Sequence, residues 1–128
     1  MKPASAKAKG RELQQFIAKL IVRSFPELSD DDAVSRPMGS GGCDIMMSPL
    51  AQRLFPISTE CKNHVIEPGV SALNQSIANR YAGTIPVVCW KPRRRGMAES
   101  LCIMRYEDLI KLVKRLRAEG EQRTEGDI

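Results

Sequence analysis

Glu60 and Lys62 stand one residue apart in the run ISTECKNH, Ile57 to His64, which has the composition of a strand. Side chains on a strand alternate between faces, so Glu60 and Lys62 share one side while Ile57, Thr59 and Cys61 take the core side. Opposite charges in this arrangement are either a solvated surface pair or half of a metal-dependent site. Asp44, in the alternating run CDIMM, bears on the choice. Cys43, Ile45 and Met47 would face the core, leaving Asp44 on the other side. If the two strands pair as a hairpin, Asp44 and Glu60 meet. Two adjacent carboxylates repel, and an oxygen-preferring divalent cation removes that repulsion; Mg²⁺ suits such a site, and Mn²⁺ substitutes for it. The backbone carbonyl of Cys61 is a further oxygen ligand. A cation held this way acidifies a bound water and offsets charge on a phosphoryl oxygen. Lys62 supplies a fixed positive charge beside the reacting group. Together these are a minimal kit for phosphodiester hydrolysis.

Other residues bear on the same chemistry. Glu12 lies early in the first predicted helix, four residues before Phe16 and eight before Leu20, at the border of an apolar stripe. It is either held near the sheet or is an acid favoured by the helix dipole. Gln75 follows on a later helix and points either to the site or to water. Ser40, in the glycine-rich turn before Asp44, either bonds a phosphate or completes the turn. His64 shares the polar face with Glu60 and Lys62 if the strand reaches it. Lys91, Arg93, Arg94 and Arg95 form a basic turn. With Lys2, Lys7 and Lys9 of the amino-terminal segment they can track a phosphate backbone, or simply keep the surface solvated.

The elements that must carry these residues follow from periodicity. Residues 1–9 read as a flexible basic arm. A helix over residues 10–25 presents Leu13, Phe16, Ile17, Leu20 and Ile21 as one stripe and ends at Pro26. An acidic loop leads to an extended piece at residues 34–38, then a turn marked by Gly39, Gly41 and Gly42. The segment SPLAQRLFP, residues 48–56, is a proline-bounded insertion of about one helical turn. Residues 69–81 form a helix with Val70, Leu73, Ile77 and Tyr81 on one side. GTIPVVCWK is a central strand and SLCIMR a second one. A last helix from Tyr106 buries Leu109, Leu112, Val113 and Leu116, and residues 119–128 form a polar, disordered tail. The order α-β-β-β-α-β-β-α predicts an α/β domain with a mixed central sheet flanked by helices.

The 128 residues fit one domain. The net charge of +5 favours an anionic partner, nucleic acid first. Aromatics make up only 5% of the chain, which argues against a base-stacking platform. No apolar run approaches the roughly 20 residues of a membrane span, and a cytosolic protein with no membrane partner is expected. Four widely spaced cysteines without a CxxC pair, and a single histidine, argue against zinc. They read as small buried thiols of a reducing compartment.

In this order GRELQQFIAKL, MGSGGCDIMM, STECKNH and ALNQSIANR resemble the PD-(D/E)XK nuclease superfamily over about residues 10–90. That pattern is a helix acid, a strand aspartate, an E-x-K strand and a helix glutamine. Within the superfamily the chain is most similar to archaeal-type Holliday-junction resolvases and small phage-encoded nucleases, which share the glycine/serine turn before Asp-Ile. The resemblance implies a restriction-endonuclease-like αβββαβ core in a bacterial or phage-infected cell. It makes Asp44 and Glu60 metal ligands, Lys62 the catalytic lysine, Glu12 the helix acid supporting the metal or its water, Gln75 an accessory residue and Ser40 a neighbour of the site. It implies a Mg²⁺-dependent endonuclease for branched DNA, working in recombination or repair as a two-fold homodimer. Three readings stand beside it: another nuclease of the superfamily, for phage recombination, repair or restriction; a non-catalytic nucleic-acid-binding protein; and a basic interaction protein with no nucleic-acid role, whose charged residues are all surface. Cys43 replaces the motif's proline, and residues 48–56 lengthen the interval from Asp44 to Glu60.

Overall fold

The computed structural model describes residues 3–126. Its elements are α1 (Pro3–Ser24), β1 (Ala33–Ser35), β2 (Ile45–Met47), α2 (Pro49–Leu54), β3 (Ile57–Asn63), α3 (Val70–Asn79), β4 (Ile85–Lys91), β5 (Leu101–Ile103) and α4 (Tyr106–Gly126). This is the expected order, with the insertion at residues 48–56 supplying α2. Short 3₁₀ turns precede β1 and β5.

The strands form two sheets. β3 and β4 run parallel, and β5 joins β4 antiparallel, giving a mixed three-stranded sheet with β4 in the middle. β1 and β2 form a separate antiparallel pair. The single mixed sheet and the β2–β3 hairpin expected from the sequence are therefore not what forms. The two sheets touch at Asp44, whose N–H donates to the Thr59 carbonyl at 3.2 Å. Its carboxylate then takes the Cys61 N–H at 2.7 Å, in the place of a ladder carbonyl. Beyond Met47, Ser48 caps α2 by accepting from Ala51 N–H, and Pro49 turns the chain away.

β3 is covered on both faces, as parallel strands usually are. Ile57 through Cys61 are all buried. Leu13, Ala18 and Ile21 of α1 pack with Cys61, Ile45, Met47 and Ala51. On the opposite face α3 closes over Ser58, and Ser76 Oγ donates to the Val87 carbonyl at 3.0 Å. Val88, in the middle strand, is fully buried; such a side chain contributes about 1.5–3 kcal/mol by leaving water.

Several expectations change. The basic arm is helical from Pro3, because Ala- and Lys-rich sequence continues a helix at little cost; Lys2 lies outside the described residues. The tail expected to be disordered continues α4 to Gly126, with an Arg117–Glu121 pair one turn apart at 3.9 Å; residues 127–128 are outside the described residues. Leu20 and Val70 are exposed, and Ala72 and Ser76 are the buried residues of α3. Of the four apolar residues expected to be buried on α4, Leu112 packs against the sheet, while Leu109, Val113 and Leu116 are exposed. The buried polar group there is Asp108, held by Arg105 Nε at 2.7 Å. Among the described residues no helix is long and apolar enough to cross a membrane.

Candidate active site

An open cleft of about 340 Å³ lies where α1, the glycine turn, β3 and α3 converge. Asp44, Glu60, Lys62 and Gln75 all line it, together with Ser40 and the backbone of Cys61. Four positions spread over 32 residues of sequence are thus brought to one place. Asp44 sits at the bend before β2, and its link to Cys61 N–H aims its carboxylate along the β3 edge. Backbone N–H and C=O groups of one strand residue point to the same side. The Cys61 carbonyl therefore lies on the Asp44 side, where its N–H already is.

Glu60 is the unusual group. The sequence suggested a solvent-facing carboxylate, but only 3% of the residue is exposed, because α3 covers that face. Its Oε1 is 3.8 Å from Lys62 Nζ. Its Oε2 is buried without a hydrogen-bond partner among the described residues. Burial first, and then the neighbouring Asp44 carboxylate, push Glu60 up to about 7, against the opposing pull of Lys62. Asp44 is raised as well, by burial, while the Cys61 N–H and Lys62 oppose the rise. Lys62 Nζ reaches Gln75 Oε1 at 3.4 Å, so the α3 glutamine steadies the lysine.

Glu12 does not join this group. It is exposed on α1 and absent from the cleft lining; Gly10 and Gln14 of α1 line it instead. Leu13 and Ile21 fix the rotation of α1, and that rotation brings Gln14 inward. Its Oε1 accepts from Ser35 Oγ at 2.7 Å. Ser40 is at the cleft, but its hydroxyl donates to the Pro37 carbonyl at 2.7 Å and so closes the turn. β3 ends at Asn63, leaving His64 exposed outside the cleft, with Nδ1 2.7 Å from the Ile66 carbonyl.

Lys91 is the last residue of β4, and Arg93, Arg94 and Arg95 follow it. Lys91 lies opposite Asn63, so the basic turn sits at the same end of the sheet as Lys62. Arg93, Arg94 and Arg95 are exposed. Asn63 Nδ2 also donates to the Lys9 carbonyl at 2.9 Å, which brings the start of α1 to this end.

Sequence reasoning missed Gln14, Asn79 and Arg36. Asn79 lines the cleft from the end of α3. Arg36 donates from Nε to the Cys43 carbonyl and packs across Gly42. The positive charge of Arg36, close after the first short strand and before the turn, was the one available signal.

Among the described residues no cluster of three or more His, Cys, Asp or Glu side chains gathers to hold a metal. The donors present are two carboxylates and the Cys61 carbonyl. That all-oxygen set fits Mg²⁺, which takes one or two carboxylates and keeps several waters. The unpartnered Glu60 Oε2 is the atom most in need of such a ligand, since a buried polar atom without a hydrogen bond is costly. Compared with protein-family models, curated proteins and solved structures, the chain matches none.

Proposed function

We propose that this chain is a metal-dependent DNA endonuclease with a restriction-endonuclease-like core, acting on branched or junction DNA as a two-fold homodimer. The observation that carries the reading is Glu60: a buried carboxylate with one orphaned oxygen, beside Asp44 and Lys62 in an open cleft. A structural ion pair would be satisfied, whereas a site awaiting a cation and a phosphate leaves such an atom. Asp44, Glu60 and the Cys61 carbonyl would hold Mg²⁺, with Mn²⁺ able to replace it. The bound cation would supply Lewis acidity at the phosphoryl oxygen and a more acidic water. Lys62 holds positive charge beside the scissile phosphate and orients the attacking water, and Gln75 steadies its ammonium. The basic turn and the start of α1 grip backbone phosphates at the same end of the sheet. Preference for junctions and the homodimer rest on the motif resemblance alone.

The test is cleavage of a four-way junction, a fork and plain duplex with Mg²⁺. Junction cutting that disappears in Asp44→Ala and Lys62→Ala supports the reading. Full activity in either variant overturns the site, and cutting confined to duplex moves the enzyme to another nuclease of the superfamily. The absence of Glu12 from the cleft favours one second reading, a nucleic-acid-binding protein without catalysis. Calorimetry with Mn²⁺ separates the two, since that protein would give no binding heat that Asp44→Ala abolishes.

A further inference from the structure

Three of the four cysteines form a row across the three-stranded sheet. Cys61 is the register partner of Cys89, and Cys89 is the register partner of Cys102. All four cysteines are unlinked thiols. Cys89 and Cys102 both line an apolar groove of about 430 Å³ between α1, the sheet and α4, so their side chains lie on one face. Burial rises along the row: Cys102 is exposed, Cys89 half-buried and Cys61 buried under α1.

The register also settles which kind of pair Cys89 and Cys102 make. Ile85 N–H donates to the Pro56 carbonyl, so Ile85, Val87 and Cys89 turn their backbone groups toward β3. Val88 and Trp90 therefore bond to β5, opposite Ile103 and Leu101. Cys89 and Cys102 face each other as a non-hydrogen-bonded antiparallel pair. Such pairs have Cα atoms about 4.5 Å apart and the closest side chains of any ladder. That separation falls within the roughly 4.4–6.8 Å range of disulfides.

We infer that Cys89 and Cys102 form a reversible intramolecular disulfide, a thiol modification site separate from the carboxylate cleft, with hydrogen peroxide as the oxidant. Cys102 meets the oxidant first because it is the exposed thiol. Its sulfur attacks one peroxide oxygen, the O–O bond breaks, and the departing oxygen takes a proton and leaves as water. The Cys89 sulfur then attacks the Cys102 sulfenic acid; an S–S bond forms, the S–O bond breaks and a second water leaves. Two electrons pass from the thiol pair to the peroxide, and a dithiol reductant reverses the change. The bond ties the three-residue edge strand β5 to β4. Cys43 takes no part: it is buried with the other sheet, and its sulfur donates to the Ile45 carbonyl.

Reduced full-length protein is treated with hydrogen peroxide, alkylated, digested and mapped by mass spectrometry without reduction. Most of the protein is expected to carry a peptide pair joined through Cys89 and Cys102, lighter by two hydrogens, which dithiothreitol removes. Cys102→Ser, at an exposed position, loses the link while remaining folded. A Cys61–Cys89 link, a covalent dimer through Cys102, or full alkylation of both thiols after peroxide would overturn the inference.

Discussion

Glu60 concentrates the energetics of the site in one side chain. Its carboxyl titrates near 7 in the fold against 4.5 as its ordinary value. The folded state thus holds the proton more tightly than the unfolded chain between these values, so stability falls as the pH rises. It is greatest below about 4.5, declines through 7 and then levels off. The full difference is on the order of 3 kcal/mol, at about 1.4 kcal/mol for each tenfold difference in proton affinity. Thermal unfolding between pH 4.5 and 8.5 should show this decline, and Glu60→Gln should flatten it and be the more stable protein at pH 8. An unchanged profile in the variant would remove Glu60 as its source. Mg²⁺ should raise the melting temperature most at the alkaline end, where the carboxylates are ionised, and Asp44→Ala should abolish that rise. That Asp44, Glu60, Lys62 and Gln75 share one cleft was legible from their order along the chain, but the route was not, because the β2–β3 hairpin that was to join the two carboxylates does not form. The burial of Glu60 was not legible. Alternation says which residues share a face, but whether a helix covers that face depends on how distant α3 packs. Glu12 misled for a related reason: the rotation of α1 is fixed by Leu13, Ala18 and Ile21 together, and that rotation leaves Glu12 in water.

Among the elements, the glycine turn before Asp44 does the positioning. Gly42 has φ +108°, and a Cβ there would stand 2.7 Å from Arg36 Cζ. Arg36 in turn holds the Cys43 carbonyl, one residue from Asp44. Gly42→Ala must therefore strain the backbone and push Arg36 away, a cost of about 1–3 kcal/mol. Gly41→Ala meets nothing within 4 Å and has no positive φ, so it should change stability by less than about 0.5 kcal/mol. Denaturant midpoints of the two variants make the comparison. Equal losses would mean that the turn is not held by Arg36. Both glycines were visible as turn residues in the sequence, but only the structure separates the one that must stay glycine. The insertion at residues 48–56 was legible as a helical turn from its two prolines. Its location was not: Ala51 is buried in the core and α2 takes no part in the cleft lining. The separate β1–β2 sheet escaped sequence reasoning because a side chain, the Asp44 carboxylate, occupies a ladder position on β3.

At the scale of the whole molecule, parallel β3 and β4 end together, and that shared end gathers positive charge. Lys62 and Lys91 belong to the two strands, Arg93, Arg94 and Arg95 follow β4, and Lys9 is drawn in by Asn63. The sequence showed the basic turn but not its place, because Asn63 and Lys91 become neighbours only through the parallel register. None of the three arginine side chains makes an ion pair with another described residue, so charge reversal there should leave the fold intact. If the turn contacts phosphates, each contact releases counterions and adds about 0.9 to the slope of log K against log salt. Arg93→Glu, Arg94→Glu and Arg95→Glu combined should weaken binding to a labelled junction at low salt and reduce that slope by about 2 to 3. Anisotropy titrations at several salt concentrations measure both quantities. The melting temperature and the Mg²⁺ response of the carboxylate cleft should stay as in the parent, because the turn is separate from the cleft lining. An unchanged salt slope would mean that these arginines only keep the surface solvated, and the phosphate path would then have to run along Lys7 and Lys9 of α1.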